Sequence, residues 1–242
     1  MTGHASSADL ASVSLGASVW VVGIVTVSGI MMAINALVAH EVGAGQIGRI
    51  AHLVRQSMWK ALLVGVLGCV AVNLGALVFE NLQLEPAVHD KASRFVHWVS
   101  LGMPAFAMYR TLYGYSASLN QTKPLMVISL AGLAWNVLLN WLFIYGNLGM
   151  PKLGAVGCAV ATSSGMWLML LALLWWIRRT EVYRESYPFA TWEAPNWSSI
   201  RSMLKLGLPI GVTYLAEVSA FSVVGLLVAK FGVVMLSAHQ IA

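Results

Sequence analysis

Charge is scarce in this sequence, and acid scarcest: 10% of its 242 residues are charged, and only nine are Asp or Glu. Soluble domains carry about 25% charge. With 59% hydrophobic residues and a mean hydropathy of +0.77, the chain has more apolar surface than one water-soluble core can hide. Cysteine is down to two, Cys69 and Cys158, both within apolar runs. That excludes a disulfide framework and a cysteine metal site, and leaves two small buried hydrophobes. The opening MTGHASSADL has neither a basic n-region nor a cleavage pattern. The first apolar run, Leu10–Ala39, is too long for a signal h-region and reads as a mature helix. There is no GxxxxGK[ST], so the chain carries no ATP engine, and no HExxH or GxSxG. No two acids lie together in the apolar runs, as an intramembrane aspartyl protease or a metal-dependent prenyl transferase needs, so an enzyme is not expected. The net charge of +5 forms no stripe, and the basic residues fall between apolar runs. Nucleic acid is therefore not the expected partner; the lipid bilayer is.

What is present is length of apolar helix. A bilayer core about 30 Å thick needs about 20 apolar residues at 1.5 Å rise each. Six runs qualify: Leu10–Ala39, Met58–Phe79, Phe95–Leu119, Pro124–Tyr145, Leu153–Ile177 and Leu206–Val228. The tail GVVMLSAHQIA reads as the start of a seventh. The fold class is an all-α membrane protein, a polytopic transmembrane helical bundle. Nine basic residues (Arg49, Arg55, Lys60, Lys123, Arg178, Arg179, Arg184, Arg201 and Lys205) fall in one alternating set of connections. Lys91, Arg94, Lys152 and Lys230 fall in the other. Basic loops stay in the cytoplasm, so loop 178–202 is expected inside and loop 80–94 outside.

Eight of the acids fall in expected loops or helix ends. The ninth, Glu217, lies in GLPIGVTYLAEVSAFSVVGLLVA, roughly 18–20 Å along the axis from both Lys205 and Lys230. An acid at that depth costs about 2.5–3.5 kcal/mol on insertion scales, and reads as a proton or cation site. The alternative is a carboxyl that only hydrogen-bonds a neighbouring helix. Asn136 and Asn140 are four apart and share one helix face, which should meet the bundle interior or a cavity. They serve either as ligand or ion contacts or as plain interhelical hydrogen bonds. Thr162 and Ser163 in the next run carry the same ambiguity. Asn35 and Asn73 read as structural, and Arg110 as snorkelling over nearby tyrosines. Pro104, Gly207, Pro209 and Gly211 can bend their helices.

With these residues in view, the chain resembles the multidrug and toxic compound extrusion (MATE) family in its NorM-like branch. The matching stretches are SLGASVW at 14–20, GIMMAINALVAHEVGAG at 29–45, VRQSMWKALL at 54–63 and GLAWNVLLNWLFIYGNLGMPKLGAVGCAVAT at 132–162. LGLPIGVTYLAEVSAFSVVGLLVA at 206–229 and LSAHQIA at 236–242 complete them. The resemblance implies a twelve-helix fold in two lobes around a central cavity open alternately to each side. By it, residues 1–177 hold family helices two to six, 178–202 form a cytoplasmic inter-lobe loop, and 203–242 begin the second lobe. The family's first helix and most of the partner lobe would lie outside this chain. The activity implied is export of organic, often cationic, compounds in exchange for Na⁺ or H⁺ across a bacterial inner membrane, with no cofactor. Glu217 would couple the cation, and Asn136, Asn140, Thr162 and Tyr214 would line the cavity. Ala117 stands where many relatives carry an acid. The alternative is a lipid-linked oligosaccharide flippase of similar architecture, which needs a cationic cavity for which only Arg110 is a candidate.

Overall fold

The computed structural model describes residues 7–81 and 85–229, with side chains from 9 to 80 and from 85 to 220. The described residues form eight α-helices and no strand: α1 Ser7–Met31, α2 Ala33–Gly43, α3 Ile47–Ala76, α4 Pro86–Ser100, α5 Met103–Ser118, α6 Thr122–Tyr145, α7 Ala155–Arg179 and α8 Trp197–Ala229. Among the described residues, four stretches are long and apolar enough to cross a membrane: Asp9–Gly43, Ile47–Glu80, Thr122–Tyr145 and Ala155–Arg179.

The expected runs all appear, but two are broken. The first splits at Met32, whose amide is shared between the Ser28 and Gly29 carbonyls at 3.2 and 3.1 Å, a tightened turn between α1 and α2. The third splits into α4 and α5 at Leu101–Gly102 and begins at Pro86, before the expected Phe95. Pro104 sits in the first turn of α5, where it has no helical N–H to lose. The Leu101 carbonyl freed by the break accepts the Trp167 indole N–H from α7 at 3.2 Å.

The second run also needs correction. The apolar pattern puts Arg49 and Arg55 in a loop and Lys60 in the first turn of the run that follows, yet α3 begins at Ile47 and carries all three, and the connection is only the turn after Gly43. The polar segment HLVRQSMWK stays helical because folded protein covers it. Gln56 is 1% exposed and Lys60 is fully buried, its ammonium without a hydrogen bond among the described residues. Likewise Lys91 and Arg94 lie on α4, not in a loop. Lys230, His239 and the expected seventh run lie outside the described residues.

α1 packs on α8 and α4, α3 on α5, α6 on α7, and α4 and α5 on α7. Lipid is as apolar as leucine, so helices associate through close fit. A Cβ at Gly65 would lie 2.5 Å from the Pro104 Cα, and one at Gly29 would lie 2.8 Å from the Gly211 Cα. Backbones therefore touch at the α3–α5 and α1–α8 crossings. Asn73 bridges α3 to α4 through the Ser100 hydroxyl at 2.8 Å.

Each end of the bundle carries a polar tie. At one end Asp9 of α1 pairs with Lys91 of α4 at 2.9 Å. The same carboxylate presses against Gly154, which precedes α7 with φ +56°. The sequence pattern places Asp9 at a solvated helix end, and the fold leaves it 6% exposed. At the other end the segment between α7 and α8 folds back over α3 and α5. Glu193 takes hydrogen bonds from Arg55 at 2.5 Å and His52 at 2.7 Å. Gln56 brackets the chain, donating to the Ala194 carbonyl and accepting from the Asn196 amide. The Trp59 indole donates to the Glu193 carbonyl at 3.0 Å. Tyr115 meets the Ser186 hydroxyl at 2.7 Å. Arg55 holds the Glu193 carboxyl at about 2, well below its usual range, and His52 adds to the effect.

Candidate cation and substrate site

Asn136 and Asn140 project from one face of α6 towards α7, both half-buried. The Thr162 hydroxyl donates to the Cys158 carbonyl one turn back at 2.9 Å. Its proton is thereby committed, so towards α6 it can only accept. It accepts from the Asn136 Nδ2 at 3.3 Å. That fixes the amide, and the Asn136 Oδ1 is left to accept from the Asn140 Nδ2 at 2.8 Å. Every member of the relay has its direction set by the one before. The last atom, the Asn140 Oδ1, is buried and has no partner among the described residues. An orphan acceptor of this kind costs about 1–3 kcal/mol if nothing meets it. It is what an oxygen-seeking cation or a protonated group would bind. The relay lies about 7–14 Å from the Tyr145 end of α6.

Tyr214 and Glu217 lie one turn apart on α8. Tyr214 is half-buried, Glu217 is exposed, and neither makes a hydrogen bond or ion pair among the described residues. α8 packs on α1, α2 and α3, and carries Tyr214 and Glu217 on a different helix set from the α6–α7 relay. The five candidate residues thus form two groups, with no hydrogen bond joining them among the described residues. Pro209 removes a backbone bond two turns before Glu217, and the Thr213 hydroxyl caps the Pro209 carbonyl at 3.0 Å. Gly207 and Gly211 bring this stretch of α8 onto Ile30 and Gly29 of α1.

Arg110 of α5 is half-buried, with its guanidinium 5.3 Å from the Tyr113 ring centre. Ser163 is buried and lies against Gly102, where it fills the α4–α5 break. No cluster of three or more His, Cys, Asp or Glu able to hold a metal occurs among the described residues. The direction of the relay, and hence its free end, is not legible in the sequence. The Asn136, Asn140 and Thr162 spacing is its only trace there.

The sequence profile described as MatE matches residues 1–142. The chain belongs to the MatE family. Over its whole length it is 39% identical to "Multidrug resistance protein PmpM" of Pseudomonas aeruginosa, covering 51% of that protein. It is 39% identical to "Probable multidrug resistance protein NorM" of Acinetobacter baylyi, covering 54% of it. The chain therefore spans about half the length of these MatE relatives. Among solved structures it is similar to the "MATE transporter NorM-NG" solved with a bound monobody, with a TM-score of 0.80 at 32% identity, covering 100% of this chain and 53% of that one. It shares its fold with "Crystal structure of MATE in complex with MaD5", with a TM-score of 0.83 at 20% identity, covering 99% and 53%. These names speak of multidrug resistance and transport, not of enzymes, and do not favour the flippase alternative.

Proposed function

We propose that this MatE chain forms part of a secondary active transporter that exports small organic, often cationic, compounds from bacteria in exchange for Na⁺ or H⁺ across the inner membrane. The observation that carries the reading is the directed amide relay ending in the unpartnered Asn140 Oδ1. A hard cation or a protonated group is matched by such an oxygen, and the relay aims it. The names of the relatives support the substrate class.

In this reading residues 1–177 belong to the first lobe, 178–202 link the lobes on the cytoplasmic side, and 203–242 open the second lobe. Glu217 binds the coupling ion, while Asn136, Asn140, Thr162 and Tyr214 line the path of ion or substrate. An ion couples only if it interacts differently with two conformations. Glu217 meets that condition if it sits exposed in one state and desolvated in another, because burying its carboxylate then requires a proton or a cation.

The test is dye efflux from everted vesicles of cells expressing the gene that encodes this chain, under imposed Na⁺ or H⁺ gradients. Glu217→Gln keeps size and hydrogen bonding but cannot release a proton or pair with a cation. It is expected to insert normally and lose ion-driven efflux. Parental rates under both gradients would reject Glu217 as the coupling group.

A further inference from the structure

Beyond the transport path, a cleft of about 440 Å³ opens at the C-terminal end of α7. Its walls are the end of α7 and the chain that turns back from it, and it holds three guanidinium groups, Arg178, Arg179 and Arg184, against one carboxylate, Glu181. All three arginines are exposed, and none is in an ion pair among the described residues. Arg178 is not loose: its Nε donates to the Tyr187 hydroxyl at 3.3 Å, and the Tyr187 ring meets Phe189 at 5.8 Å. That leaves its two terminal nitrogens, five N–H groups less one, free to fork onto an oxyanion.

The surface leading to the cleft is apolar. On α7, Leu171 and Trp175 are 58% and 59% exposed, spaced four apart on one stripe, and Arg178 and Arg179 continue that stripe by three and four residues. Trp167, 40% exposed, begins it one turn earlier. α7 is one of the helices long and apolar enough to span a membrane, and in a bilayer an exposed apolar stripe of this kind would meet acyl chains, with the arginines at its end at headgroup level.

We infer that the cleft formed by Arg178, Arg179 and Arg184 is a binding site for the phosphate of an anionic phospholipid, whose acyl chain lies along the Trp167–Leu171–Trp175 stripe. Basic pockets at membrane surfaces take phosphate headgroups, and paired guanidinium forks recognise phosphate oxygens with geometry as well as charge. Arginines that only oriented the helix or complemented its C-terminal dipole would need no concave wall, no Tyr187 to hold one of them, and no apolar track ending at them.

The experiment is native mass spectrometry of the purified full chain in detergent, titrated in parallel with phosphatidylglycerol, phosphatidylcholine and inorganic phosphate. The parent is expected to retain phosphatidylglycerol over phosphatidylcholine. Arg179→Gln with Arg184→Gln should lower phosphatidylglycerol retention about tenfold, as loss of charge-assisted contacts does. Arg179→Lys with Arg184→Lys should hold an intermediate amount, because the point charges remain while the forks are gone. Arg201→Gln, outside the cleft, should change nothing. Three results each overturn the inference: equal retention of the two lipids by the parent, parental retention by the double Gln variant, or displacement of the lipid by millimolar inorganic phosphate, which would make this a free-phosphate site.

Discussion

The carboxylate of Asp9 lies 2.9 Å from the ammonium of Lys91, and the pair locks three helices at one end of the bundle. α1 supplies the acid, α4 the base, and Gly154, the residue before α7, lies against the carboxylate. Gly154 has φ +56° and ψ −123°, and a Cβ there would lie 2.8 Å from the Asp9 Oδ2. Gly154→Ala therefore meets both backbone strain and a collision, a cost of about 1–3 kcal/mol. For a chain of this length that lowers the Tm by roughly 2–4 °C per kcal/mol in thermal unfolding of the detergent-solubilised protein. Lys91→Met should destabilise as well, because it leaves a nearly buried carboxylate without its charge partner. A Tm unchanged by Gly154→Ala would mean that the three helix ends are not held together there.

Acid should release the segment that covers α3. Glu193 has its carboxyl depressed to about 2 in the folded protein by Arg55 and His52, against an ordinary value of 4.5. A depressed carboxyl contributes stability above its unfolded value and loses it as the pH falls through its folded value. The contribution is thus full above about pH 5 and fades between there and pH 2. Trp59 and Trp192, whose ring centres are 6.4 Å apart at this contact, report the change by fluorescence. Glu193→Gln should remove the acid transition in that window. Persistence of the same transition in the variant would assign it to other groups.

Val182 and Ala87 give the orientation. Val182 is 52% exposed beside the end of α7, and Ala87 is exposed in the first turn of α4. In a background without Cys69 and Cys158, single cysteines at these positions are probed with an impermeant thiol reagent on intact cells. Labelling is expected at position 87 and not at 182, since the basic set of connections stays inside. The opposite pattern would invert the assignment.

Thr162→Val tests the direction of the relay. The hydroxyl sets the Asn136 amide, and that amide sets Asn140. Interhelical hydrogen bonds in membranes are worth only about 0.6 kcal/mol on average, so the variant should fold with nearly parental stability. Its ion dependence should still suffer, with the Na⁺ or H⁺ concentration for half-maximal efflux rising about tenfold as the Asn140 oxygen loses its fixed aim. Asn140→Leu, which removes the oxygen, should abolish coupling. Parental ion dependence in both variants would make the relay a packing device only.

Much of the fold is legible in the sequence because lipid imposes a crude rule: a spanning stretch must be long, apolar and helical. That rule marks six runs but is blind to their breaks. The Met32 and Leu101 interruptions depend on local backbone bonds and on Trp167 arriving from another helix. The rule also misplaces Arg49 and Arg55, since a polar helical turn reads as loop until one knows that residues 193–196 cover part of it. Asp9 is misread for the same reason, its partners being 82 residues away at Lys91 and 145 away at Gly154. At the candidate site the residue types and their helical spacing are local and therefore readable. The free oxygen of Asn140 follows from which proton Thr162 gives away, and that is a property of the fold.

The cover over α3 also fixes where the chain can swivel. A long connection between helices is ordinarily pictured as slack rope. Here Glu193, Ala194 and Ser186 are fastened to α3 and α5, so the segment from Thr180 to Ala194 is part of the wall. Asn196 is fastened as well: its amide donates to the Gln56 Oε1 at 2.7 Å, and its side chain holds the Ser198 and Ser199 amides at 3.0 and 3.3 Å. The start of α8 is therefore tied to α3, and the place where α8 can bend is Pro209, beside the Gly29–Gly211 contact with α1. Glu217 lies about 12 Å beyond Pro209 along the helix, so a change of bend at the proline shifts Glu217 while the tied start of α8 stays in place.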